Sequence, residues 1–541
     1  MKFILSLVLS LCLLVSTVAQ KAPDRWFNLD YSKDGVAGVS ADKAIKELLK
    51  DRKAQDVIVA VIDGGTDPLH EDLKDNMWVN SREIPGNGID DDENGYIDDI
   101  NGWDFIGGAN GTVEYDNMEL TRMYRDFKKK YAGIDPSAVP SEKKAEYKQY
   151  VKLRAEFTSK YEKAKANYET YHNFLESLHA LQKELGKDKI SNDDIAGYKS
   201  EDTKTALALN IFHNIIANGG KLEDINFDEE LKGALEHFEA EYKYQLNIDY
   251  DPRASLVGDD YANINERKYG NNEVKGPDAS HGTHVAGIIG AVRDNSLGMD
   301  GICNHIKIMV VRCVPNGDER DKDVANAIRY AVDNGAKIIN MSFGKYYGTN
   351  KAAVDEAVKY AMNRDVLIVH AAGNEGYNLK GKQHFPTRDY ADHSGQAKAW
   401  IEVGASQPNM QPAPFSNYGK KAVDLFAPGT EIYSTTPDNT YQSMQGTSMA
   451  SPVVAGCAAL LRAYFPDLTA EQVKVILLST VTKVPGKVVK PMDDDAQEKA
   501  DEKGKELKPS KTTYKKLCKS GGIVNVYNAV KLATTMKAGK Q

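Results

Sequence analysis

The sequence has little cysteine, and its cysteines are badly placed for disulfide bonds. There are 5 among 541 residues, and Cys12 lies in an apolar N-terminal stretch. Cys303 and Cys313 bracket the run NHIKIMVVR, whose composition is typical of a β-strand. Ten extended residues span roughly 30 Å, whereas the Cα atoms of bridged cysteines lie within about 7 Å of each other. We therefore expect free thiols and a fold that depends on its apolar core.

Excess positive charge is also missing. The 69 Lys and Arg residues are outnumbered by 78 Asp and Glu residues, which gives a formal net charge of −9. A general nucleic-acid-binding protein would show a basic face. The charge balance therefore argues against nucleic acid as a partner.

Long apolar runs are confined to the N-terminus. MKFILSLVLSLCLLVSTVAQ has one Lys near its start and the small residues Thr17 and Ala19 just before Gln20. This pattern is typical of a secretory signal peptide, here residues 1–19. We therefore expect export to a periplasm or to the outside of the cell, and no transmembrane segment after the signal is removed. An uncleaved anchor is the alternative.

Short β-branched runs alternate with amphipathic helical patterns over most of the chain. The runs are VIVAVI (57–62), IKIMVV (306–311), KIINM (337–341), VLIVHA (366–371) and WIEVGA (400–405). Helical patterns such as DVANAIRYAVDNG lie between several of them. This alternation predicts an α/β fold with a doubly wound, mostly parallel central sheet and helices on both faces.

Residues 112–246 have a different character, because they are charged, aromatic and nearly free of Pro and Gly. From Tyr147 to Leu185, aromatic and apolar residues recur at alternating steps of three and four, which predicts a long helix near 141–186. Shorter helices are expected near 203–217 and 228–245. We interpret 112–246 as an all-helical insertion into a main domain formed by 20–111 and 247–541.

The C-terminal part contains one more change of character. PMDDDAQEKADEKGKELKPSK (491–511) is polar and dense in charge, which favours a mobile loop. GGIVNVYNAVKLA (521–533) then returns to a strand followed by a helix.

Three stretches carry residues with catalytic potential. VIVAVIDGG ends a predicted strand with Asp63, and ligands bind at the carboxyl ends of strands in open α/β sheets. In SMQGTSMASPVVAG, Ser448 opens a helix, so free N–H groups and the positive end of the helix dipole face its hydroxyl. GPDASHGTHVAGII places His281 and His284 on one helix face, which fits either a zinc site or one base beside a buried ring. Taken alone, Asp63 and Ser448 are each also compatible with a plain helix cap.

Together these stretches resemble the subtilisin-like serine peptidases. The motifs VAVIDGG, HGTHVAG, NMSFG, AAGNEG and GTSMASPVVAG occur in that family's order, with Asp, His and Ser following one another along the chain. The resemblance implies a subtilisin-like fold and a secreted endopeptidase that cleaves polypeptides through an acyl-enzyme. It assigns Asp63, His281 and Ser448 to a catalytic triad and makes His284 the packing residue.

The resemblance also assigns the residues around the triad. Asn374 would donate its side-chain amide to the oxyanion. An extended substrate would lie along the backbone of Ser342, Phe343 and Gly344. No cofactor is implied for the chemistry, and zinc is disfavoured because no Cys or carboxylate at ligand spacing joins the two histidines of HGTHVAG. The helix that begins near His281 is expected to disfavour the imidazolium form of that ring.

The chain departs from the family pattern in three places. Gly64 stands where the family usually has Ser or Thr, so the carboxylate of Asp63 loses a hydroxyl partner. More than two hundred residues separate Asp63 from His281, because the helical insertion lies between them. Only about forty residues separate Gln20 from Asp63, so we expect the chain to fold without the prodomain that secreted relatives commonly carry.

The stretch GIDDDENGYIDDIN matches part of a calcium-binding loop. Positions one, three, five and nine of the pattern are occupied by Asp90, Asp92, Asn94 and Asp98. Position twelve is Asn101 instead of a bidentate Glu, so the stretch predicts either a structural calcium site or a solvated acidic turn. Asp72 matches a further calcium ligand of the family, and RDNSLG (293–298) resembles the loop that accompanies it.

Three functional hypotheses follow. The leading one is an exported endopeptidase. In the second, the cleft is a relic and the aromatic insertion performs the function; in the third, a protease also grips a partner through the helical insertion. The complete set of Asp63, His281, Asn374 and Ser448 favours the first, because only chemistry requires all four. The insertion serves either packing or partner binding, or it covers the cleft as a lid.

Overall fold

The computed structural model of the chain describes residues 22–502, 505 and 507–536. The predicted signal peptide, residues 1–19, lies outside the described residues. The chain divides into two compact units, which we call the helical unit (Tyr115–Asp251) and the sheet unit (Ala22–Glu114 and Pro252–Gln541). Among the described residues, no helix combines the length and the apolar character needed to cross a membrane.

The sheet unit is built around one sheet of nine strands, with three smaller sheets of two strands each among the described residues. In chain order, the strands of the described residues are β1 (Val57–Asp63), β2 (Gly102–Asp104), β3 (Gly107–Gly108), β4 (Gly111–Thr112), β5 (Ile306–Arg312), β6 (Ile338–Met341), β7 (Leu367–Ala371), β8 (Trp400–Ser406), β9 (Leu425–Pro428), β10 (Ile432–Thr436), β11 (Thr440–Met444), β12 (Thr482–Lys483), β13 (Val488–Val489), β14 (Lys511–Thr512) and β15 (Gly522–Ile523). The large sheet has the order β12-β15-β9-β8-β7-β6-β1-β5-β2. Its strands pair in parallel, apart from β12 against β15. The predicted α/β fold with a mostly parallel sheet is confirmed.

Both faces of the sheet are covered, as its continuously apolar strands require. Along β1, Val59 and Val61 belong to one buried cluster, while Ala60 and Ile62 belong to another. Successive side chains of a strand point to opposite faces, so each face of β1 packs into its own core. The first core includes residues of the helices that carry His281 and Ser448, and the second includes residues of the helices 321–333 and 351–362.

The helices of the sheet unit are Tyr31–Asp34, Ala41–Ala44, Arg253–Leu256, Ser280–Gly290 (the His281 helix), Asp321–Asp333, Lys351–Met362, Thr447–Tyr464 (the Ser448 helix), Ala470–Ser479, Asp494–Glu502, Tyr514–Leu517 and Val526–Thr535. Single turns of 3₁₀ or π helix in the two units are Trp26–Asn28, Ile45–Leu49, Lys74–Asn76, Pro136–Ala138, Ser141–Lys143, Thr203–Thr205, Leu222–Asp224 and Glu241–Gln245. Cys303, Cys313, Cys457 and Cys518 are buried as free thiols.

The prediction of a loop over 491–511 is wrong where the helix Asp494–Glu502 forms. Asp493 accepts a hydrogen bond from the backbone N–H of Ala496 at 3.0 Å, and Asp494 and Asp495 occupy the first turn. Acidic residues at a helix N-terminus satisfy free N–H groups and complement the dipole. The run of aspartates that looked like a solvated loop is therefore the start of a helix.

The helical unit consists of the helices Glu119–Tyr131, Lys144–Leu185, Asn192–Ile195, Ala206–Ala217 and Phe227–Ala240. The predicted long helix is confirmed and has 42 residues. Its aromatic stripe packs inside the unit: Phe157 stacks on Tyr124 with ring centroids 4.5 Å apart, and Tyr171 lies 4.9 Å from Phe238. The stripe predicted from the heptad pattern therefore has partners within its own unit.

Candidate active site

The candidate site lies at the carboxyl ends of three neighbouring strands. Asp63 is the last residue of β1, Ser342 directly follows β6, and Asn374 lies three residues beyond β7. β6 pairs with both β1 and β7. Because parallel strands end at the same edge of a sheet, three distant parts of the sequence meet there.

Asp63 and His281 are in direct contact. The Nδ1 atom of His281 lies 2.8 Å from Oδ1 of Asp63, and the backbone N–H of Gly64 donates to the same oxygen at 2.8 Å. The other oxygen, Oδ2, is buried and has no hydrogen-bond partner among the described residues. Gly64 has no side chain that could donate to this oxygen.

The charge state of His281 is set by two opposing effects. Partial burial of the ring lowers its pKa, but the charge and the hydrogen bond of Asp63 outweigh this effect, so the pKa is raised above the ordinary value of 6.5. The expectation that the helix terminus by itself disfavours the imidazolium stays a prediction, because Asp63 decides the net direction. A full negative charge in contact with the ring outweighs the partial charge of a helix terminus.

Ser448 is the second residue of its helix and links back to the segment after β6. Its Oγ donates to the carbonyl oxygen of Ser342 at 3.1 Å, and the Ser342 hydroxyl donates to the carbonyl oxygen of Ser448 at 2.8 Å. A cavity of about 620 Å³ is lined by His281, Asn374, Glu431, Ser443, Met444, Gln445, Ser448 and Met449. The structure therefore brings the predicted base, nucleophile and oxyanion donor to one cavity.

Asn374 is held with its amide oriented by Thr447. Its Oδ1 accepts hydrogen bonds from the backbone N–H of Thr447 at 2.8 Å and from the Thr447 hydroxyl at 2.9 Å. The Thr447 hydroxyl accepts in turn from the backbone N–H of Gly373 at 3.1 Å. Because a backbone N–H only donates, the oxygen of Asn374 faces Thr447 and its Nδ2 group is left as a donor. Sequence reasoning missed Thr447, whose only signal is its position beside Ser448.

Of the predicted substrate segment, Ser342 is buried and Phe343 and Gly344 are half-buried. The carbonyl oxygen of Ser342 accepts a hydrogen bond from Ser448, which lines the cavity. The carbonyl oxygen of Phe343 instead lies 2.9 Å from Nε2 of His370. The two successive carbonyl oxygens, of Ser342 and Phe343, therefore contact different side chains, those of Ser448 and His370.

His284 lies in the core. Its Nε2 atom is 3.0 Å from the carbonyl oxygens of both Ile432 and Gln442, and burial lowers its pKa to about 4. The two histidines of the HGTHVAG motif therefore differ in environment: one lines the cavity, and the other is a neutral, buried ring.

The predicted calcium loop gathers three carboxylates whose ligand atoms lie within 4.8 Å of one another, those of Glu83, Asp90 and Asp92. Glu83 was missed by sequence reasoning because it precedes the matched pattern. Carboxylate oxygens are the ligands that Ca²⁺ prefers, so these residues fit a calcium ion. Arg82 places its guanidinium 2.8 Å from Asp92.

The other residues of the matched pattern have different contacts. Asp98 accepts hydrogen bonds from the backbone N–H groups of Gly86, Asn87 and Gly88. Oδ1 of Asn94 accepts from the N–H of Tyr96 at 2.7 Å. These two side chains hold the loop together, and calcium binding by the loop stays a prediction.

Asp72 lies against the loop 293–298, as the resemblance implied. Its Oδ1 accepts from Nδ2 of Asn295 at 2.7 Å, and its Oδ2 accepts from the backbone N–H of Met299 at 3.3 Å. Burial raises the pKa of the Asp72 carboxyl. Calcium binding at Asp72 also stays a prediction.

Comparison with known proteins gives consistent matches. A family profile described as the subtilase family, Peptidase_S8, matches residues 54–503. Over 207 residues the chain is 39% identical to thermitase of Thermoactinomyces vulgaris, covering 38% of this chain and 68% of thermitase. Over 205 residues it is 38% identical to subtilisin DY of Bacillus licheniformis, covering 38% and 71%. Over 281 residues it is 34% identical to the cell wall-associated protease of Bacillus subtilis, covering 52% of this chain and 29% of that protein. The chain belongs to the subtilase family and is a serine-type endopeptidase.

Proposed function

We propose that this endopeptidase is exported and hydrolyses peptide bonds of proteins through an acyl-enzyme on Ser448, with His281 as the base and Asp63 as its orienting partner. The observation that carries the proposal is the 2.8 Å contact between Asp63 and His281 beside a cavity that His281, Asn374 and Ser448 all line. An acid–imidazole pair next to a hydroxyl at a helix N-terminus suits acyl transfer.

Attack begins when the hydroxyl of Ser448 leaves the carbonyl oxygen of Ser342 and turns to Nε2 of His281. The bond from Oγ to the scissile carbonyl carbon forms while the proton passes to Nε2. Asp63 accepts from Nδ1–H throughout, so it fixes the tautomer in which Nε2 carries the lone pair, and it stabilises the imidazolium that forms. A polypeptide lying along Ser342, Phe343 and Gly344 would present its carbonyl to Ser448.

The negative charge on the carbonyl oxygen is stabilised by Nδ2 of Asn374 and by the backbone N–H of Ser448. The backbone N–H groups in the first turn of a helix have no partner inside the helix, and the dipole there favours an anion. Thr447 acts as a positioning residue, since its two donors fix the amide of Asn374. His281 then gives its proton to the leaving amine as the C–N bond breaks, and it later activates the water that hydrolyses the acyl-enzyme.

The direct test is hydrolysis of an unstructured protein and of a short fluorogenic peptide by the wild type and by two serine variants. Ser448→Ala is expected to abolish both activities. Ser451→Ala is the matched control, because Ser451 lies in the same helix but donates to Asn340 at 2.8 Å in the core. A folded wild type that cleaves neither substrate would support the relic hypothesis instead.

Export rests on the predicted signal peptide and on the similarity to a protein named cell wall-associated protease. Edman or mass-spectrometric analysis of the protein from its native cell should give an N-terminus at Gln20. A chain that keeps residues 1–19 in the cell would contradict export with signal cleavage.

For the helical insertion, predicted at 112–246, we propose a role as a separately packed module that binds a partner or supports the fold. The support is that its aromatic stripe is buried against helices of its own unit. Replacing it by a short linker should leave hydrolysis of a small peptide nearly unchanged. A large gain on protein substrates alone would favour the lid.

A further inference from the structure

A second cluster of histidine and carboxylate side chains lies in the sheet unit and has no part in the mechanism above. His370 in β7, His384 in the segment between β7 and β8, and Glu402 in β8 are all buried, with exposed fractions of 0%, 8% and 7%. One potential ligand atom from each lies within 4.8 Å of the other two. The register of the sheet creates the cluster, because His370 is paired with Glu402 across β7 and β8.

The two polar contacts of His370 place its Nδ1 nitrogen against a carboxylate. Its Nε2 lies 2.9 Å from the carbonyl oxygen of Phe343, which only accepts, so Nε2 carries the hydrogen. Its Nδ1 lies 2.9 Å from Oε1 of Glu402. In a neutral ring, this places a lone pair of Nδ1 opposite a carboxylate oxygen. Such a contact needs either a second proton or a cation between the two atoms.

His384 brings a second buried imidazole beside His370. Its ring centroid lies 5.4 Å from that of His370, and its Nδ1 is buried without a hydrogen-bond partner among the described residues. A buried imidazole nitrogen without a partner costs free energy unless something occupies it. A cation at the cluster would bind one ring nitrogen of His384 and also relieve the contact between His370 and Glu402.

The surroundings of the cluster match those of metal-binding side chains. A histidine that binds a metal usually donates its other ring N–H to a carbonyl or carboxylate, and a binding carboxylate is itself hydrogen-bonded. His370 donates to Phe343, and Oε2 of Glu402 accepts from Nε1 of Trp400 at 2.9 Å. The outer contacts that would orient the ligands are therefore already formed.

We propose that His370, His384 and Glu402 form a binding site for a divalent transition metal ion of the Zn²⁺ class. Two histidines and one glutamate are a donor set that zinc uses, with a fourth position left to water or another ligand. Bonds of 2.0–2.2 Å put tetrahedral ligands about 3.4 Å apart, so side-chain shifts of about 1 Å would complete the geometry. His384, Glu402 and Tyr346 line a cavity of about 1060 Å³, which supplies a path for the ion and room for the fourth ligand.

The site would hold together the backbone around the cleft. A Cβ placed on Gly344 would lie 2.3 Å from Cε1 of His384, and one on Gly373 would lie 3.2 Å from its Nε2. His384 therefore packs against the predicted substrate segment and against the residue before Asn374. The metal site itself does not depend on the role proposed for Ser448.

The test is metal titration of the full chain carrying Ser448→Ala, which prevents self-digestion, after treatment with a chelator. We expect one Co²⁺ ion per chain with the ligand-field absorption of a tetrahedral site, displaced by one equivalent of Zn²⁺. His384→Ala and Glu402→Gln should each weaken binding at least tenfold. His305→Ala is the matched control, because His305 lies on the surface of the same unit with 45% of its side chain exposed.

Glu402→Gln keeps the test decisive if His384→Ala fails to fold. The glutamine amide can donate to Nδ1 of a neutral His370, so the hydrogen bonds of the core survive while the anionic ligand is lost. The proposal is overturned if the wild type binds no Co²⁺, or if both variants bind it as the wild type does. Binding that persists in both variants would come from the Glu83, Asp90 and Asp92 loop, and the His370–Glu402 contact would then be a metal-free imidazolium–carboxylate pair.

Discussion

Two imidazole–carboxylate pairs occur in the same sheet unit with nearly the same contact. Nδ1 of His281 lies 2.8 Å from Asp63, and Nδ1 of His370 lies 2.9 Å from Glu402. The pairs differ in what surrounds the ring: the His281 side chain is 43% exposed and lines a cavity, while His370 is fully buried and its Nε2 donates to a backbone carbonyl. The comparison teaches that the surroundings of Nε2, more than the carboxylate at Nδ1, decide whether such a pair acts as a base or belongs to the core.

The largest expected difference between the two pairs is in catalysis. His281→Ala should lower kcat by about 10⁶-fold, a magnitude measured for the corresponding change in subtilisin itself. Glu402→Gln should lower kcat far less, because the His370 pair touches no reacting atom. Single-turnover hydrolysis of a fluorogenic peptide by both variants measures this contrast. Similar losses in the two variants would erase the distinction between the pairs.

The next largest difference should appear in stability, and here the His370 pair should matter more than the His281 pair. His370→Ala leaves the buried Glu402 without its charged or metal-bound partner, and breaking a buried pair in this way costs about 3–5 kcal/mol of the free energy of unfolding. His281→Ala should cost less, because the His281 side chain is 43% exposed and water can enter the space it leaves and hydrate the buried Asp63. Denaturant unfolding of both variants in the presence of a chelator, on a Ser448→Ala background, gives the comparison. A smaller loss for His370→Ala than for His281→Ala would contradict this account.

Removal of the oxyanion donor should have an intermediate effect on rate. Asn374→Ala is expected to lower kcat about 10²–10³-fold with little change in KM, again a magnitude that comes from subtilisin. Thr447→Val removes the hydroxyl that orients Asn374 but keeps the backbone N–H, so its loss should be smaller. Steady-state kinetics on one peptide would show the order, and a larger loss for Thr447→Val would place the orienting role elsewhere.

The pH dependence of activity should report the charge of Asp63. The pKa of His281 is raised above 6.5, and at any pH below this pKa the ring is protonated and cannot act as a base. We therefore expect kcat/KM to rise with increasing pH, with a midpoint above pH 6.5. Asp63→Asn removes the charge that raises the pKa, so its weaker activity should have a midpoint at lower pH. A wild-type midpoint at or below 6.5 would contradict the dominance of Asp63.

The smallest effect concerns the unpaired oxygen of Asp63. Gly64→Ser should supply a donor to Oδ2 and raise kcat/KM by a factor of about 5, the equivalent of one hydrogen bond of about 1 kcal/mol. A Cβ at Gly64 would lie 3.1 Å from the carbonyl oxygen of Val314, so some crowding accompanies the change. Gly64→Ala carries the same crowding without the hydroxyl and is the control. Equal rates for the two variants would mean that Oδ2 gains nothing from a donor.

The sheet could be predicted from the sequence because its strands are continuous apolar runs between helical patterns. The pairing of Asp63 with His281 was predicted from motifs and their order. The His370 cluster could not be found in this way, since it depends on the register that sets His370 beside Glu402 and on a loop that brings His384 to them. Glu83 and Thr447 escaped notice for a similar reason, because their roles come from contacts that folding creates. The helix Asp494–Glu502 was missed because capping aspartates and a solvated acidic loop have the same composition.

The most direct test of the central claim is the rate at which a fluorophosphonate labels the wild type, His281→Ala and Glu402→Gln, with the modified residue located by peptide mass spectrometry. We predict that the label lies on Ser448 alone, that His281→Ala slows labelling by at least 10³-fold, and that Glu402→Gln slows it by less than tenfold. Labelling of His281→Ala at the wild-type rate, or modification of a residue other than Ser448, would contradict the assignment of His281 as the base that activates this serine.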